Sequence, residues 1–450
     1  MKHALLLCAG LLLCTAATAR QTGRIHRTEV IPYDTRHDAE SRVRARSGHS
    51  IDFRPEVRLA TDGPLRAIVG QTVEIPYAWT DGCTYLHLEN PQTAYQLWVN
   101  DRQVAEIADA LTPAEFDLTE CIRQGSNDFK LVLLNGRDSL GARGAQHGKP
   151  FDGSYLYYQE KRSIRDFEIA LVPDTLGRDF AMLDLRLIVQ NRFNYDEPVT
   201  VGYDIYSPQG KLLDFNIAET KLAGRSVDTL HFQPFIYHAY ENKWQPTAAT
   251  GRNAAVKNPP LYKVMLFTKR DGTYKEYMPL KIGFGRPEFA EGRFMQFGKE
   301  VKLKPKRYNA VPSDEQTTRT QLLGIRKQGY NTLCPDYPQP AWFYALCDEL
   351  GLYVVDRANL HAPDRRSDRS IGGTPSNDPT LADEYLQRVQ AMYYRSRNFT
   401  CVIVYALGNP SGNGYNLYKA YEWLKSVEPA RPVLYEDADG EWNSDFLLAR

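Results

Sequence analysis

The chain has 450 residues, with 55 basic and 55 acidic side chains, a formal net charge of zero, 42% hydrophobic and 12% aromatic residues. That is enough apolar material for two or three domains with separate cores, and it excludes a disordered chain. No basic block interleaved with aromatics occurs, which argues against nucleic acid as a partner.

The N-terminus reads MKHALLLCAGLLLCTAATAR: a basic start, an apolar run from Ala4 to Leu13, then small residues ending Ala17-Thr18-Ala19. This is the pattern of a secretory leader over 1–19, and it predicts an exported protein. The run is shorter than the roughly 20 residues of a bilayer span, so no membrane span is expected. Cys8 and Cys14 would leave with the leader. The rest (Cys83, Cys121, Cys334, Cys347, Cys401) include no Cys-x-x-Cys pair, so neither a zinc site nor a disulfide-dense framework is expected. Cys347 and Cys401 fall in apolar patterns and read as core; a Cys83–Cys121 disulfide stays open.

Over 20–172 the pattern is of short strands. TYLHLEN (84–90) alternates Leu86 and Leu88 against polar neighbours, YQLWVNDRQVA (95–105) turns at Asn100-Asp101, and FKLVLLN (129–135) alternates again. A β-sandwich follows. Over 173–286 the strands MLDLRLIVQN (182–191), VTVGYDIYSP (199–208) and 261–284, with a turn at Asp271-Gly272, predict a second, immunoglobulin-like sandwich.

From about 287 to 450, strands alternate with helices. Ser313 and Gln316 form a capping box before a helix carrying Leu322 and Leu323, closed at Gly329. Then come a strand at 331–334, a helix at 342–350 capped by Gly351, a strand at 352–356, a helix at 381–395, a strand at 401–407, a helix at 415–427 and a strand at 433–436. Continuous apolar strands separated by helices imply a parallel sheet, closing as a (β/α)8 barrel.

WFYALCDELGLYVVDRANLH (342–361), VIVYALGNPSGNG (402–414) and EPARPVLYE (428–436) resemble the barrel of family 2 glycoside hydrolases of the β-galactosidase type. The upstream stretches VIPYDTRHDAE (30–40), AYQLWVNDRQVA (94–105), DGSYLYYQ (152–159) and KIGFG (281–285) are similar to successive landmarks of that family. The resemblance implies a jelly-roll sugar-binding domain, an immunoglobulin-like β-sandwich and a TIM barrel. It also implies retaining hydrolysis, in which one carboxylic acid protonates the leaving oxygen and a second carboxylate, about 5–5.5 Å away, attacks the sugar.

The same resemblance exposes departures. The position after Gly408-Asn409, a glutamate acid/base in the family, is Pro410, which carries no titratable proton. The nucleophile belongs on a seventh strand, and the expectation is that the chain stops before it, leaving an incomplete barrel and no catalytic residue. The Arg-His-Glu-His run becomes RYNA (307–310), Asp336 stands at a family histidine in CPDYP (334–338), and Arg357 replaces an acid in DRAN (356–359). With its carboxylates gone, the family magnesium site is expected to be lost, leaving no cofactor and no metal.

Four residues match family sugar-contacting positions. Asn409 is a sugar contact or a loop-shaping residue; Asn100 is a sugar contact or an ordinary hairpin turn; Glu160 reaches into the site or is a surface acid; His361 matches a family histidine. Asp336 and Asp356, at the ends of the second and third strands, and Glu436, after the fifth, are possible substitute carboxylates facing the barrel mouth. The leading expectation is a non-hydrolytic protein in carbohydrate binding or in an exported assembly, with carbohydrate, or a protein covering the open barrel, as partner. The alternatives are a working glycosidase using substituted carboxylates and a decayed remnant.

Overall fold

The computed structural model describes residues 23–60, 65–134, 136–141, 149–174, 176–246, 257–310 and 314–446. The expected leader, with Cys8 and Cys14, and the expected helix cap Ser313 lie outside them.

Two five-stranded antiparallel sheets form the first sandwich. One runs in the order Arg24–Ile25, Ala114–Asp117, Gly82–Leu88, Tyr155–Glu160, Ser50–Asp52; the other runs Glu56–Ala60, Leu65–Ile75, Gly125–Leu134, Ala94–Val99, Arg102–Ile107. Leu86, Leu97, Phe116, Phe129 and Leu131 meet between them. Strand 125–134 shows the expected alternation. Strand 82–88 does not: all seven residues are buried. Its second face, with Cys83 and Tyr85, packs with Tyr155 and Tyr157, and the Arg27 guanidinium sits 4.2 Å from the Tyr85 ring centre. Cys83 lies in that tyrosine layer while Cys121 packs against the sandwich core, so the two are free and form no disulfide.

In the second sandwich, Arg162–Pro173, Phe180–Asn191 and Ser226–Phe232 face Leu212–Leu222, Glu197–Tyr206, Tyr262–Arg270 and Thr273–Ile282. Because Arg162–Pro173 pairs along its length with Phe180–Asn191, this sandwich begins about ten residues before the position expected from sequence. Asn100-Asp101 (φ 49° and 63°) and Asp271-Gly272 (φ 51° and 75°) turn the two expected hairpins with left-handed residues, the geometry that matches strand twist.

Five parallel strands form the barrel wall: Pro305–Tyr308, Thr332–Pro335, Tyr353–Arg357, Val402–Ala406 and Val433–Leu434, adjacent in that order. Helices Glu315–Lys327, Ala341–Leu350, Ala382–Ser396 and Tyr415–Val427 connect them, so the third and fourth strands are buried on both faces. Asp314 rather than Ser313 caps the first helix, accepting from the Thr317 N–H at 2.7 Å. Gly351 (φ 68°) ends the second as expected. No described helix is long and apolar enough to cross a membrane.

Helix 382–396 and the turn after it dock the barrel on the sandwiches. Arg388 reaches Asp138 of the first sandwich at 2.7 Å, and Arg397 reaches Asp166 at 2.6 Å and Glu168 at 2.7 Å. Arg397→Ala would leave Asp166 buried without its cation, and is expected to cost about 3 kcal/mol in guanidinium-induced unfolding. Arg397→Lys should recover little of it, because a point charge cannot span both carboxylates and the Phe167 carbonyl that Arg397 also holds at 3.0 Å.

Candidate functional site at the barrel mouth

In a parallel barrel, chemistry belongs at the C-terminal strand ends. There the first two strands place Arg307 against Asp336, with Nε 2.7 Å from Oδ1. Side chains alternate along a strand, so consecutive residues of the third strand face opposite ways. Asp356 points outward to the helices: it is buried and accepts from the Tyr344 hydroxyl at 2.6 Å and from Arg395 at 3.2 Å. The expectation that Asp356 faces the mouth is therefore overturned. Arg357 points inward instead. Its guanidinium donates to the carbonyls of Pro335 and Gly408 and pairs with Glu436 at 3.4 Å, tying the second, fourth and fifth strands. Arg366, in the loop after the third strand, forks onto Asp437.

Three carboxylates at the mouth are thus each paired with an arginine. Asp336, Glu436 and Asp437 are paired with Arg307, Arg357 and Arg366, and Glu436 keeps 40% of its side chain exposed. The resemblance implied a carboxylate cation site near these loops; a buried guanidinium at position 357 opposes a divalent cation, so the residues present do not fit one. Among the described residues, no group of three or more His, Cys, Asp or Glu is arranged to hold a metal.

The loop after the fourth strand is held from every side. The Asn409 side-chain amide donates to the Asp336 carbonyl at 2.8 Å. Ser411 is buried; its hydroxyl donates to the Asn409 carbonyl at 2.8 Å and accepts from the Ala362 N–H at 2.9 Å, with no base beside it. The Ser411 carbonyl accepts from Thr374 at 2.9 Å, and Tyr435 donates to the Gly412 carbonyl. Pro410 is half-buried at the centre of this lattice.

The other candidate residues separate. Asn100 closes its hairpin, donating to the Cys121 carbonyl at 3.0 Å and to Asn127 Oδ1 at 2.8 Å. It ends the strand whose opposite end, at Ala94, shares a cleft with Thr380, Leu381 and Arg388 of the barrel, about 20 Å away at the rise of a strand. Glu160 pairs with Arg270 at 3.3 Å between the two sandwiches. Neither takes part in the mouth. His361 is exposed at its rim, its N–H on the Leu140 carbonyl at 2.6 Å.

One group was not foreseen. Asn359 donates to Asp109 at 2.7 Å, and Arg388 donates to the Asn359 carbonyl at 2.7 Å, stapling the loop after the third strand to the first sandwich. Burial alone would raise the Asp109 pKa, but Arg388, Arg24 and hydrogen bonds from Thr112 and Asn359 outweigh it and lower it to about 2. No sequence spacing signals these partners, since 250 residues separate Asp109 from Asn359.

Two sandwiches followed by a parallel barrel, with a Gly-Asn loop at the mouth, define a glycoside-hydrolase architecture. Residues 54–143 match the sugar binding domain of Glycosyl hydrolases family 2 and residues 310–448 its TIM barrel domain, together just over half of the chain. The chain belongs to glycosyl hydrolase family 2. Among solved structures it is similar to beta-glucuronidase 2 of Bacteroides uniformis, with a TM-score of 0.70 and 16% identity over 85% of this chain and 48% of that one. A beta-glycosidase of Bacteroides vulgatus gives 0.65 and 18%, over 85% and 47%; a putative beta-galactosidase of Bacteroides fragilis gives 0.67 and 15%, over 87% and 59%. The chain spans about half the length of the structures it matches.

Gly412 sits at φ +76°, where a Cβ would meet the Arg366 carbonyl oxygen at 2.6 Å and Thr374 Oγ1 at 2.7 Å. Gly412→Ala is expected to lower unfolding free energy by about 2 kcal/mol through left-handed strain, with the clash adding to it. The depressed Asp109 pKa stabilises the fold fully above the unfolded value near 4, and that contribution is lost as pH falls towards 2. Denaturation midpoints should therefore drop over that window by an amount worth about 2–3 kcal/mol, and Asp109→Asn should flatten the drop.

Proposed function

We propose that the protein is an exported, non-hydrolytic member of its family that binds carbohydrate. The observation that carries this reading is Pro410. Retaining hydrolysis needs a proton donor at that place in the loop, and a proline side chain has no proton to give. The arginine pairing of Asp336 and Glu436 supports it, because a substitute acid would have to leave an ion pair before serving as a donor. The match of residues 54–143 to a sugar binding domain supports retained recognition of glycans, and the leader-like N-terminus supports export.

Chromogenic 4-nitrophenyl β-galactoside and β-glucuronide should not be turned over above the level of the Glu436→Gln and Asp336→Asn variants. Calorimetric titration with β-linked oligosaccharides should nevertheless give binding heat. Turnover abolished by either substitution would show instead a glycosidase working through replaced carboxylates.

A further inference from the structure

Away from the mouth, the N-terminal segment passes between the second sandwich and the barrel and leaves a cavity of about 260 Å³. Val30, Phe167, Met278 and Leu280 line this open cleft on the sandwich side, Trp342 and Phe399 on the barrel side, with Glu29, Asp348, Arg395 and Asn398 among the apolar walls. The exposed wall area is mainly apolar, and the volume has room for a short acyl chain. Trp342, an aromatic on a helix of the barrel, finds its place here and not at the mouth.

A second cavity, of about 460 Å³, adjoins the first and shares Arg42, Pro279, Leu280 and Lys281 with it. Its character is basic: Arg36, Arg42, Lys263 and Lys281 line it, against the single acid Glu40. Arg36 is committed to Asp204 at 2.7 Å and Lys281 to Glu349 at 2.6 Å. Among the described residues, Arg42 and Lys263 make no ion pair. Both residues are exposed, and Glu349 acts on Arg42 only from beyond contact distance. Arg42 also holds φ +56°, a left-handed conformation that is strained for a residue with a side chain, at the end of helix Arg36–Ser41. Two exposed cations that form no ion pair among the described residues thus stand in the basic cavity beside a mainly apolar cleft.

We propose that the two cavities form one binding site for a medium-chain fatty-acid carboxylate. The acyl chain occupies the inner cavity and the carboxylate meets Arg42 and Lys263. Charge complementarity selects the head and the apolar walls select the tail. This site is separate from the barrel mouth and does not depend on whether glycans bind there.

The test is calorimetry and thermal unfolding of the full chain with decanoate, 1-decanol and acetate. Decanoate should bind and raise the midpoint, 1-decanol should bind at least tenfold more weakly, and acetate should not bind. Ala345→Phe, on the cavity-facing side of helix 341–350, should abolish decanoate binding by filling the inner chamber. Arg42→Gly with Lys263→Ala removes the cations and relieves the left-handed strain, so the fold is kept; decanoate affinity should fall at least tenfold while 1-decanol is unaffected. Absence of decanoate binding, equal affinity for decanoate and 1-decanol, or indifference to either variant would each overturn the proposal.

Discussion

Three buried guanidinium groups, on one helix and the turn that ends it, hold the molecule in its arrangement. Arg388 reaches the first sandwich at Asp138, Arg395 grips Asp356 of the third barrel strand, and Arg397 bridges Asp166 and Glu168 of the second sandwich. A buried charge is costly unless its partner is in place, so each pair is satisfied in one docking position and penalised in others. Apolar packing would tolerate small slides between the layers; these pairs do not. The mouth inherits its shape from that docking, because the loop after the third strand is stapled to Asp109 and Leu140 of the first sandwich.

That setting explains why the Gly-Asn loop persists around a proline. Its backbone and side chains serve as partners for neighbours on all sides: the Asp336 carbonyl, Thr374, Tyr435, the Ala362 N–H and the Arg357 guanidinium all bond to residues 408–412. A catalytic glutamate in such a loop can be replaced without loosening it, since none of these bonds uses the side chain at position 410. Loss of the loop itself would unpair buried polar groups on the second, third and fifth strands together. The mouth that results is a ring of arginine–carboxylate pairs. Its three pairs join Asp336, Glu436 and Asp437 to Arg307, Arg357 and Arg366.

A cleft also lies at the junction of the second sandwich and the barrel. Where the twisted sheet edge at 278–281 meets helix 341–350, side chains cannot close the gap, and Trp342 and Phe399 are left lining it. The basic residues at its entrance come from the helix at 36–41 and from the outer face of the sheet, two segments with no relation in sequence.

What the sequence determined by itself was much of what depends on neighbours a few residues away. The hairpins at Asn100-Asp101 and Asp271-Gly272, the alternation of 125–134, the helix stop at Gly351 and the order of strands and helices in the barrel follow from φ preferences and periodicity, and these are local. The absence of a proton donor at Pro410 was legible for the same reason, since it needs only one residue and its place in a loop. The tertiary structure alone decided which way Asp356 and Arg357 face, that Asn100 and Glu160 stay in the sandwiches, and that Asp336, Glu436 and Asp437 meet arginines 29, 79 and 71 residues distant. Those pairings are set by which strands lie side by side and which face of each is inward. A one-residue change of register reverses that facing, and a single sequence carries no local mark of it.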